Sequence, residues 1–387
     1  MRILHLALLA ALPAALGALG ALGAQARPDT ATLTARLGVD TISVERIVRS
    51  GNGIEAEVVT RSPRTTLQRQ RAQFDGRGNL TSLRVVDLNP ATGAESRTIS
   101  YMRHGDSLHI VTQAAERSER MVAAPAEWLP FIDLVHWPFD VALQRMRRAG
   151  STQVDAPMLS GQRVSNFPLA MMAGDSATVT HPTRGTMRLT VLPDGAIRTL
   201  DAGATTRALV VTRSGNSDIA TLARDFAARD AAGRGVGELS GRGSTELKWS
   251  GASLSLDYGT PMKRGRDIWG TVVRYNQLWR TGANRATHFT TDTDLRFGDL
   301  LVPAGEYTLF SVIEATGGTL IINRQTGQNG QSYDQMRDLG RVPLRAQPLG
   351  SEVEAFTIAL REQNGRGVLA LQWDRTEMVT EFTVVRP

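Results

Sequence analysis

The chain contains no cysteine. This absence excludes disulfide bonds, thiol catalysis and cysteine-ligated metal centres. It also excludes anchoring through a lipidated N-terminal cysteine. The fold must therefore be stabilised by its hydrophobic core alone, and 387 residues are enough for two domains.

Lysine and aromatic residues are scarce. Aromatics make up 5% of the chain, and of 44 basic residues only Lys248 and Lys263 are lysine. The formal net charge is +6 and the pI about 10.2. Such a balance is typical of nucleic-acid-binding proteins when the charges cluster. Here the arginines are dispersed, which favours a solvated surface, and we expect no nucleic-acid partner.

The N-terminal segment has the pattern of a signal peptide. Arg2 precedes an apolar run at residues 3–24, and Ala24-Gln25-Ala26 has the small-x-small form of a cleavage site. An uncleaved membrane anchor is the alternative, because the run is long enough to span a bilayer. Pro13 and the glycines weaken a spanning helix. We therefore predict a cleaved signal peptide at residues 1–26, export to the periplasm or beyond, and no stable membrane span in the mature chain.

A glycine-rich segment at residues 233–243 divides the rest of the chain. Glycine at alternate positions disfavours both helix and strand, so we predict a flexible linker between domains at residues 27–232 and 244–387. Just before the linker, Ser217 is placed to cap a short helix that Gly233 ends.

The N-terminal domain has the pattern of an antiparallel β-meander. Strand-like segments alternate with turn formers such as Ser50-Gly51-Asn52-Gly53 and Pro193-Asp194-Gly195. The predicted strands cover residues 41–49, 53–61, 66–75, 79–89, 95–102, 106–114, 163–172, 175–181, 186–192, 196–201 and 205–213. An apolar, largely helical excursion is predicted near residues 128–149, with breaks at Pro130 and Pro138. It either fills the concave face of a curved sheet or leaves room there for an apolar ligand.

The C-terminal domain is also predicted to be β. About eight short strands, with Asn364-Gly365 as a hairpin turn, favour a β-sandwich or jelly roll. The predicted fold class is therefore mainly β throughout: a curved antiparallel meander with one helical excursion, followed by a sandwich-like domain.

A dense aromatic and arginine-rich stretch carries a family resemblance. It includes Arg264-Gly265-Arg266-Asp267-Ile268-Trp269-Gly270, Leu278-Trp279-Arg280-Thr281-Gly282-Ala283-Asn284 and Val302-Pro303-Ala304-Gly305-Glu306-Tyr307. From about Ser244 onward the chain resembles a secreted bacterial family known as domain of unknown function 2911. The resemblance implies export and a β-rich fold, and brings no activity with it. The N-terminal domain resembles no family.

Common catalytic and metal-binding motifs are absent from the sequence. It has no Gly-x-Ser-x-Gly elbow, P-loop, His-Glu-x-x-His or Gly-x-Gly-x-x-Gly. His104 and His109 are closely spaced, but on a single strand they would point to opposite faces. We therefore predict neither a metal site nor a cofactor.

The basic-aromatic stretch holds the candidate ligand-binding residues. Guanidinium groups bind carboxylates and phosphates, and indole rings stack on sugars or on arginine. The candidates are Tyr258, Arg264, Arg266, Trp279, Arg280 and Asn284. In the alternative interpretation, Trp269, Trp279 and Tyr307 are core aromatics and Arg280 is buried in a salt bridge with Asp257 or Asp267.

Three functional hypotheses follow. The first is a non-catalytic envelope protein that binds a glycan or an anionic small molecule through this stretch. The second is a hydrolase or isomerase that uses Asp257, Asp267 or Glu306 near Arg280 as an acid or base. The third is an apolar-ligand carrier built on the N-terminal sheet. The sequence leaves the oligomeric state open.

Overall fold

The computed structural model describes residues 29–205 and 207–385. The predicted signal peptide lies outside these residues. The described chain is mainly β, with a large N-terminal sheet and a separate C-terminal sheet, so the predicted fold class is confirmed. Over this part of the chain, no helix is both long and apolar enough to cross a membrane.

The N-terminal sheet has 15 strands, and β1 lies in its middle. Strands β2 to β8 follow outward on one side, and β15 back to β9 on the other. The strands are β1 Asp29–Leu37, β2 Asp40–Ser50, β3 Gly53–Thr60, β4 Thr66–Phe74, β5 Leu80–Leu88, β6 Glu95–His104, β7 Ser107–Gln113, β8 Arg117–Ala123, β9 Leu129–Pro130, β10 Gln153–Ser160, β11 Arg163–Met171, β12 Ser176–His181, β13 Gly185–Val191, β14 Ile197–Asp201 and β15 Val210–Ser214. The predicted strands correspond to β2 to β7 and to β11 to β15, whereas β1, β8, β9 and β10 were not predicted as strands.

The helical excursion is shorter than predicted. Helix α1 covers Trp137–Arg148, whereas residues 128–136 form β9 and irregular backbone. Pro138 lies in the first turn of α1 and does not break it, because a first-turn N–H has no partner within the helix. Trp128, Trp137 and Leu143 are fully buried against the sheet. The segment thus fills one face of the sheet as core.

Two buried carboxylates fix α1 to the sheet. Glu45 of β2 accepts hydrogen bonds from the backbone N–H groups of His136 (2.7 Å) and Trp137 (2.9 Å). These N–H groups begin the helix and lack intrahelical partners, so Glu45 caps it from a distant strand. Asp140 accepts from Arg49 (2.8 Å) and from Arg213. The charged side chains therefore specify where the apolar segment docks.

Helix α2 packs on the opposite face of the same sheet. It covers Ile219–Ala231 and buries Ile219, Ala223 and Phe226 against outward-facing strand residues. Asp218, not the predicted Ser217, caps it by accepting from the Thr221 N–H at 3.0 Å. Gly233 follows the helix at φ +69°, as expected for a C-terminal glycine.

The C-terminal sheet has ten strands, and the long hairpin β24–β25 is its largest element. Its strands are β16 Ser240–Trp249, β17 Ala252–Pro261, β18 Leu278–Trp279, β19 Thr287–Thr291, β20 Leu295–Phe297, β21 Leu300–Val302, β22 Gly305–Glu314, β23 Gly317–Asn323, β24 Asp338–Gln363 and β25 Arg366–Val384, with a 3₁₀ turn at Gln335–Arg337.

This sheet curls so that its first strands, β16 and β17, face β24. β16 and β17 begin the strand order and β24 lies well along it, yet Thr245 Oγ1 donates to the carbonyl of Ile358 at 2.6 Å. Tyr258 packs edge-on against Phe356 with ring centroids 5.9 Å apart. Register shifts between Pro348 and Thr357 interrupt the β24–β25 ladder, and such irregularities let long strands bend. One sheet therefore supplies both layers around the C-terminal core.

The predicted linker at residues 233–243 is too long at its C-terminal end. Ser240 to Gly243 already belong to β16 and pair with β17. A Cβ at Gly243 would lie 2.9 Å from the ring of Tyr258, so here glycine allows close packing of an aromatic ring on a strand.

Arg264 joins the two domains. Its guanidinium lies 2.6 Å from Asp40 and donates to the carbonyls of Val236 and Glu238. Its own carbonyl accepts from the Val39 N–H at 3.1 Å. Gly38 adopts φ +60°, and a Cβ there would lie 1.9 Å from this carbonyl. The β1–β2 turn and the turn at residues 263–266 thus fit together only because residue 38 is glycine; we call this pair of turns the interdomain contact.

Replacing the buried cap should destabilise the N-terminal domain. Glu45→Gln places an amide NH₂ against a buried backbone N–H, which should lower the free energy of unfolding by about 1–3 kcal/mol in urea titrations. Glu55→Gln is the matched control: Glu55 is exposed and paired only with Arg71, and its loss should change stability by less than about 1 kcal/mol. Equal effects of the two variants would show that Glu45 does not act as a cap.

Gly38→Ala should open the interdomain contact. Gly51→Ala is the control, because Gly51 has a similar φ of +53° in the next hairpin but nothing within 4 Å of its Cβ position. In both variants alanine must adopt a left-handed backbone conformation, which costs about 1–2 kcal/mol. Only in Gly38→Ala does the added Cβ also clash with the Arg264 carbonyl. Brief trypsin digestion followed by mass spectrometry should show cleavage after Arg264, now buried, in Gly38→Ala alone. Protection of Arg264 in both variants would contradict this role of Gly38.

Candidate functional site

The candidate site is a cleft of about 910 Å³ between the two domains. Its volume lies in the range of about 300–1,000 Å³ that is usual for small-molecule sites. Part of its lining comes from the N-terminal domain, at Asp133, Thr183, Arg184, Thr205 and Arg207. The facing part comes from loops of the C-terminal domain, within residues 272–284 and near residue 330. Gln331 Nε2 also donates to the carbonyl of Thr183, which links the domains across the cleft.

Four of the six candidate residues line this cleft and two do not. Arg266, Trp279, Arg280 and Asn284 are all at its surface. Tyr258 is 4% exposed in the C-terminal core, because its position on β17 faces inward. Arg264 is held in the interdomain contact. Tyr258 and Arg264 are close to the four cleft residues in sequence but do not share the cleft with them.

Arg280 forms no ion pair with any residue that the structure describes. Its Nη1 donates to the carbonyl of Asn284 at 3.3 Å, and burial lowers its pKa from the ordinary value. The predicted alternative of a salt bridge with Asp257 or Asp267 is wrong, because Asp257 pairs with Arg242 instead. A Cβ at Gly330 would lie 2.4 Å from Arg280 Cδ, so the stem of Arg280 occupies space that only glycine leaves free. Arg280 is thus held in place with its charge available.

The loop that carries Arg280 is tightly turned. Thr281 and Asn284 both adopt positive φ, at +52° and +62°, and Gly282 has φ +151°. Non-glycine residues adopt such conformations only when their surroundings enforce them, and they occur often at ligand-binding loops. The Thr281 carbonyl accepts from Thr287 Oγ1 at 2.7 Å, which fixes the loop to β19. Asn284 is exposed, and its Nδ2 donates to the carbonyl of Ser240 at 3.3 Å.

Trp279 serves both the core and the cleft. Its ring lies parallel to that of Trp373 with centroids 6.3 Å apart, and it meets Phe356 edge-on at 5.0 Å. Its Nε1 donates to the carbonyl of Gly282 at 3.2 Å. Both tryptophans line the cleft, so the predicted core role and the predicted site role apply to the same ring.

Positive charge dominates the cleft. Five arginines line it against two carboxylates, those of Asp133 and Glu238; the arginines are Arg184, Arg207, Arg266, Arg274 and Arg280. Asp133 pairs with Arg184 (2.8 Å) and with Arg207. Among the described residues, Arg266, Arg274 and Arg280 form no ion pair. Burial, and next the charge of Arg264, lowers the pKa of Arg266, which donates only to the carbonyls of Lys263 and Met262.

Sequence reasoning missed the N-terminal half of the cleft. Asp133, Arg184 and Arg207 lie far from residues 258–285 in sequence, in segments predicted as helix or ordinary hairpin. No local pattern distinguishes them from the other dispersed arginines. Only the docking of the two domains brings them opposite Arg280.

The carboxylates of the hydrolase hypothesis do not line the cleft. Asp257 is bound to Arg242, and Asp267 and Glu306 are exposed elsewhere on the C-terminal domain. Within the described ranges, no three residues among His, Asp and Glu are grouped as for a metal ion. The prediction that His104 and His109 share one strand is wrong. They lie on β6 and β7, on either side of the turn at Gly105, and both face outward.

The face of the N-terminal sheet that α1 covers has little free space. The cavity beside residues 131–139 is about 40 Å³, close to the volume of one or two water molecules. His181 borders it, between the rings of Phe131 and Phe167 at 5.0 and 4.9 Å. Because the helical excursion packs this face as core, the described residues give the apolar-carrier hypothesis no support there.

Burial lowers the pKa of His181 to about 4, and the nearby charge of Arg184 adds to the effect. The ring is therefore neutral near pH 7. Its Nδ1 accepts a hydrogen bond from the Thr183 N–H at 3.1 Å, which requires that nitrogen to be unprotonated. His181 and Thr183 thus connect the aromatic interior to the rim of the cleft.

The described chain is mainly β, with two separate sheets and an arginine-lined cleft between them, and its C-terminal part has a family match. Residues 240–382, somewhat more than a third of the chain, match the family described as "Protein of unknown function (DUF2911)". This confirms the resemblance noted in the sequence. The matched region carries the C-terminal side of the cleft and none of its N-terminal side. No curated protein matches the chain.

Two solved structures show distant similarity. One is a β-barrel-like protein of domain of unknown function DUF1849 from Brucella abortus, at 10% identity and a TM-score of 0.32, covering 49% of this chain and 98% of that one. The other is a DUF1089 family protein from Pseudomonas aeruginosa, at 10% identity and a TM-score of 0.29, covering 42% of this chain and 90% of that one. At these TM-scores neither informs the function of this chain.

Stability should fall as the pH decreases through the interval set by His181. An unfolded histidine binds a proton below about pH 6.5, whereas folded His181 does so only near pH 4. The unfolded state therefore binds more protons in this interval, and the stability present above pH 6.5 is lost progressively toward pH 4. In urea titrations from pH 7 to 4, the free energy of unfolding of His181→Gln should depend less steeply on pH than that of the wild type, because up to about one proton fewer is bound on unfolding.

The control for this measurement is His104→Gln. His104 is an exposed histidine of the same sheet, so its replacement should leave the pH dependence of stability close to that of the wild type. An unchanged slope in His181→Gln would mean that His181 does not stay neutral in the folded protein.

Proposed function

We propose that this chain is an exported, non-catalytic binding protein of the cell envelope whose interdomain cleft takes an anionic or glycan-like ligand. The observation that carries the proposal is the set of three guanidinium groups at the cleft without an acidic partner, those of Arg266, Arg274 and Arg280. Arg266 and Arg280 are partly buried, and Arg274 is exposed. A partly buried cation is costly without a counter-charge, so a cleft with two such cations beside a third arginine favours an anion.

The chemistry of these groups narrows the ligand further. Guanidinium is planar and binds carboxylate, sulfate or phosphate through paired N–H donors. Trp279 is half-buried and borders the same cleft, with Trp373 buried behind it, and the exposed part of an indole ring is suited to a sugar ring. An acidic oligosaccharide satisfies both features, and an acidic peptide satisfies the first. Export rests on the predicted signal peptide at residues 1–26 and is part of the proposal.

Calorimetric titration of the purified protein with a sulfated dextran, a polyglutamate peptide and neutral dextran would test the proposal. The two anionic probes should bind, and neutral dextran should bind weakly or not at all. Arg280→Ala should weaken binding about tenfold or more, because a hydrogen bond to a charged group contributes about 1.5–3 kcal/mol. Added salt should weaken binding in the wild type, since the cleft is open to solvent.

Arg296→Ala provides the matched control. Arg296 is an exposed arginine of β20 that lies outside the cleft, so its removal changes the net charge equally. Binding that falls equally in both variants would indicate general attraction to a basic protein. Unchanged binding in Arg280→Ala, or no binding of any probe by folded protein, would overturn the proposal.

A further inference from the structure

A row of sulfur and nitrogen donors runs across β6, β7 and β8, the last three strands at one edge of the N-terminal sheet. Met102 of β6 pairs directly with His109 of β7, and His109 pairs directly with Met121 of β8. Directly opposed residues of an antiparallel sheet project to the same face with Cβ atoms about 4.5–5.5 Å apart. The three side chains are therefore neighbours, and none of them lines the interdomain cleft.

These methionines do not serve the core. Met102 is 59% exposed and Met121 is 53% exposed. The residues that flank them along their strands point inward, as Tyr101 and Val122 do. Methionine is unbranched and has rotatable bonds up to its sulfur, so both thioethers can turn toward the histidine between them. Two exposed thioethers on either side of an imidazole form a donor set that packing does not explain.

His109 is oriented by a carboxylate. Its Nε2 lies 2.7 Å from Glu119 Oε2. When the neutral ring donates its Nε2 proton to Glu119, Nδ1 carries the lone pair. Histidines that bind metals usually donate their other ring N–H to a carboxylate, which fixes the ring and the tautomer. His104 lies two residues beyond Met102 on the same face of β6, diagonal to His109, and offers a second imidazole nearby.

We propose that Met102, His109 and Met121 bind one Cu(I) ion at this sheet edge, with Glu119 as the positioning residue of His109. Thioether ligands select soft monovalent copper, whereas hard ions such as Mg²⁺ and Ca²⁺ prefer oxygen donors. The spacing of histidines and carboxylates in the sequence does not indicate this site, because two of its three donors are methionines on different strands.

The test titrates the full chain with Cu(I) under ascorbate and without oxygen, against a chromogenic Cu(I) chelator that reports the free ion. The wild type should take up one Cu(I) per chain. Met102→Leu and Met121→Leu should each weaken binding at least about tenfold, because a soft ligand is lost without a change in side-chain volume. Glu119→Gln should weaken it about 10- to 100-fold while all three donors stay in place.

Met172→Leu is the matched control, since Met172 is also exposed, at 57%, but lies away from this row. It should bind Cu(I) as the wild type does, and circular dichroism should show that every variant is folded. X-ray absorption at the copper edge should show sulfur ligands in the wild type and fewer in the double variant Met102→Leu/Met121→Leu. Equal Cu(I) affinity in wild type and double variant, or displacement of Cu(I) by equimolar Zn(II), would overturn the proposal.

Discussion

The interdomain cleft depends on how one turn of the C-terminal domain fits one hairpin of the other domain. Arg264 lies at that junction with 7% of its surface exposed, bonded to Asp40 and to carbonyls of the connecting segment. Gly38 lets the two backbones approach within hydrogen-bonding distance. A buried guanidinium needs several partners to offset its desolvation, so the contact is specific in geometry. It brings the Arg280 loop to the rim of the N-terminal domain.

Arginine carries most of the electrostatics on both sides of this junction. With only two lysines in 387 residues, nearly every basic contact uses a planar fork of donors, which suits paired bonds to carboxylates and carbonyls. Arg49 and Arg213 neutralise buried Asp140 and so fix α1 to the sheet. Arg266 and Arg280 instead donate to backbone carbonyls, which hold them in position, and neither forms an ion pair among the described residues. Arginine thus fixes a helix to the sheet in the N-terminal domain and lines the candidate site in the cleft.

Prediction from the sequence succeeded where the signal was local. Strands β2 to β7 were found because alternation and glycine turns recur within ten residues or so, as at Gly51. Prediction failed where a residue far away in the sequence determines where a helix or strand begins. The start of α1 depends on Glu45, 92 residues before Trp137, and the first strand of the C-terminal domain includes Gly243, against which the Tyr258 ring packs. Of the candidate site residues, Arg266, Trp279, Arg280 and Asn284 reach the cleft, whereas Tyr258 and Arg264 serve the core and the interdomain contact.

The sequence by itself determined the β class, the absence of disulfides and the basic character of the Arg280 loop. These properties follow from composition and from patterns that span a few residues. Only the tertiary structure decided which arginines keep a free charge, that Arg184 and Arg207 lie across the cleft from Arg280, and that Met102, His109 and Met121 form one row. Such juxtapositions depend on strand register and domain docking, which are set by contacts between residues far apart in the chain.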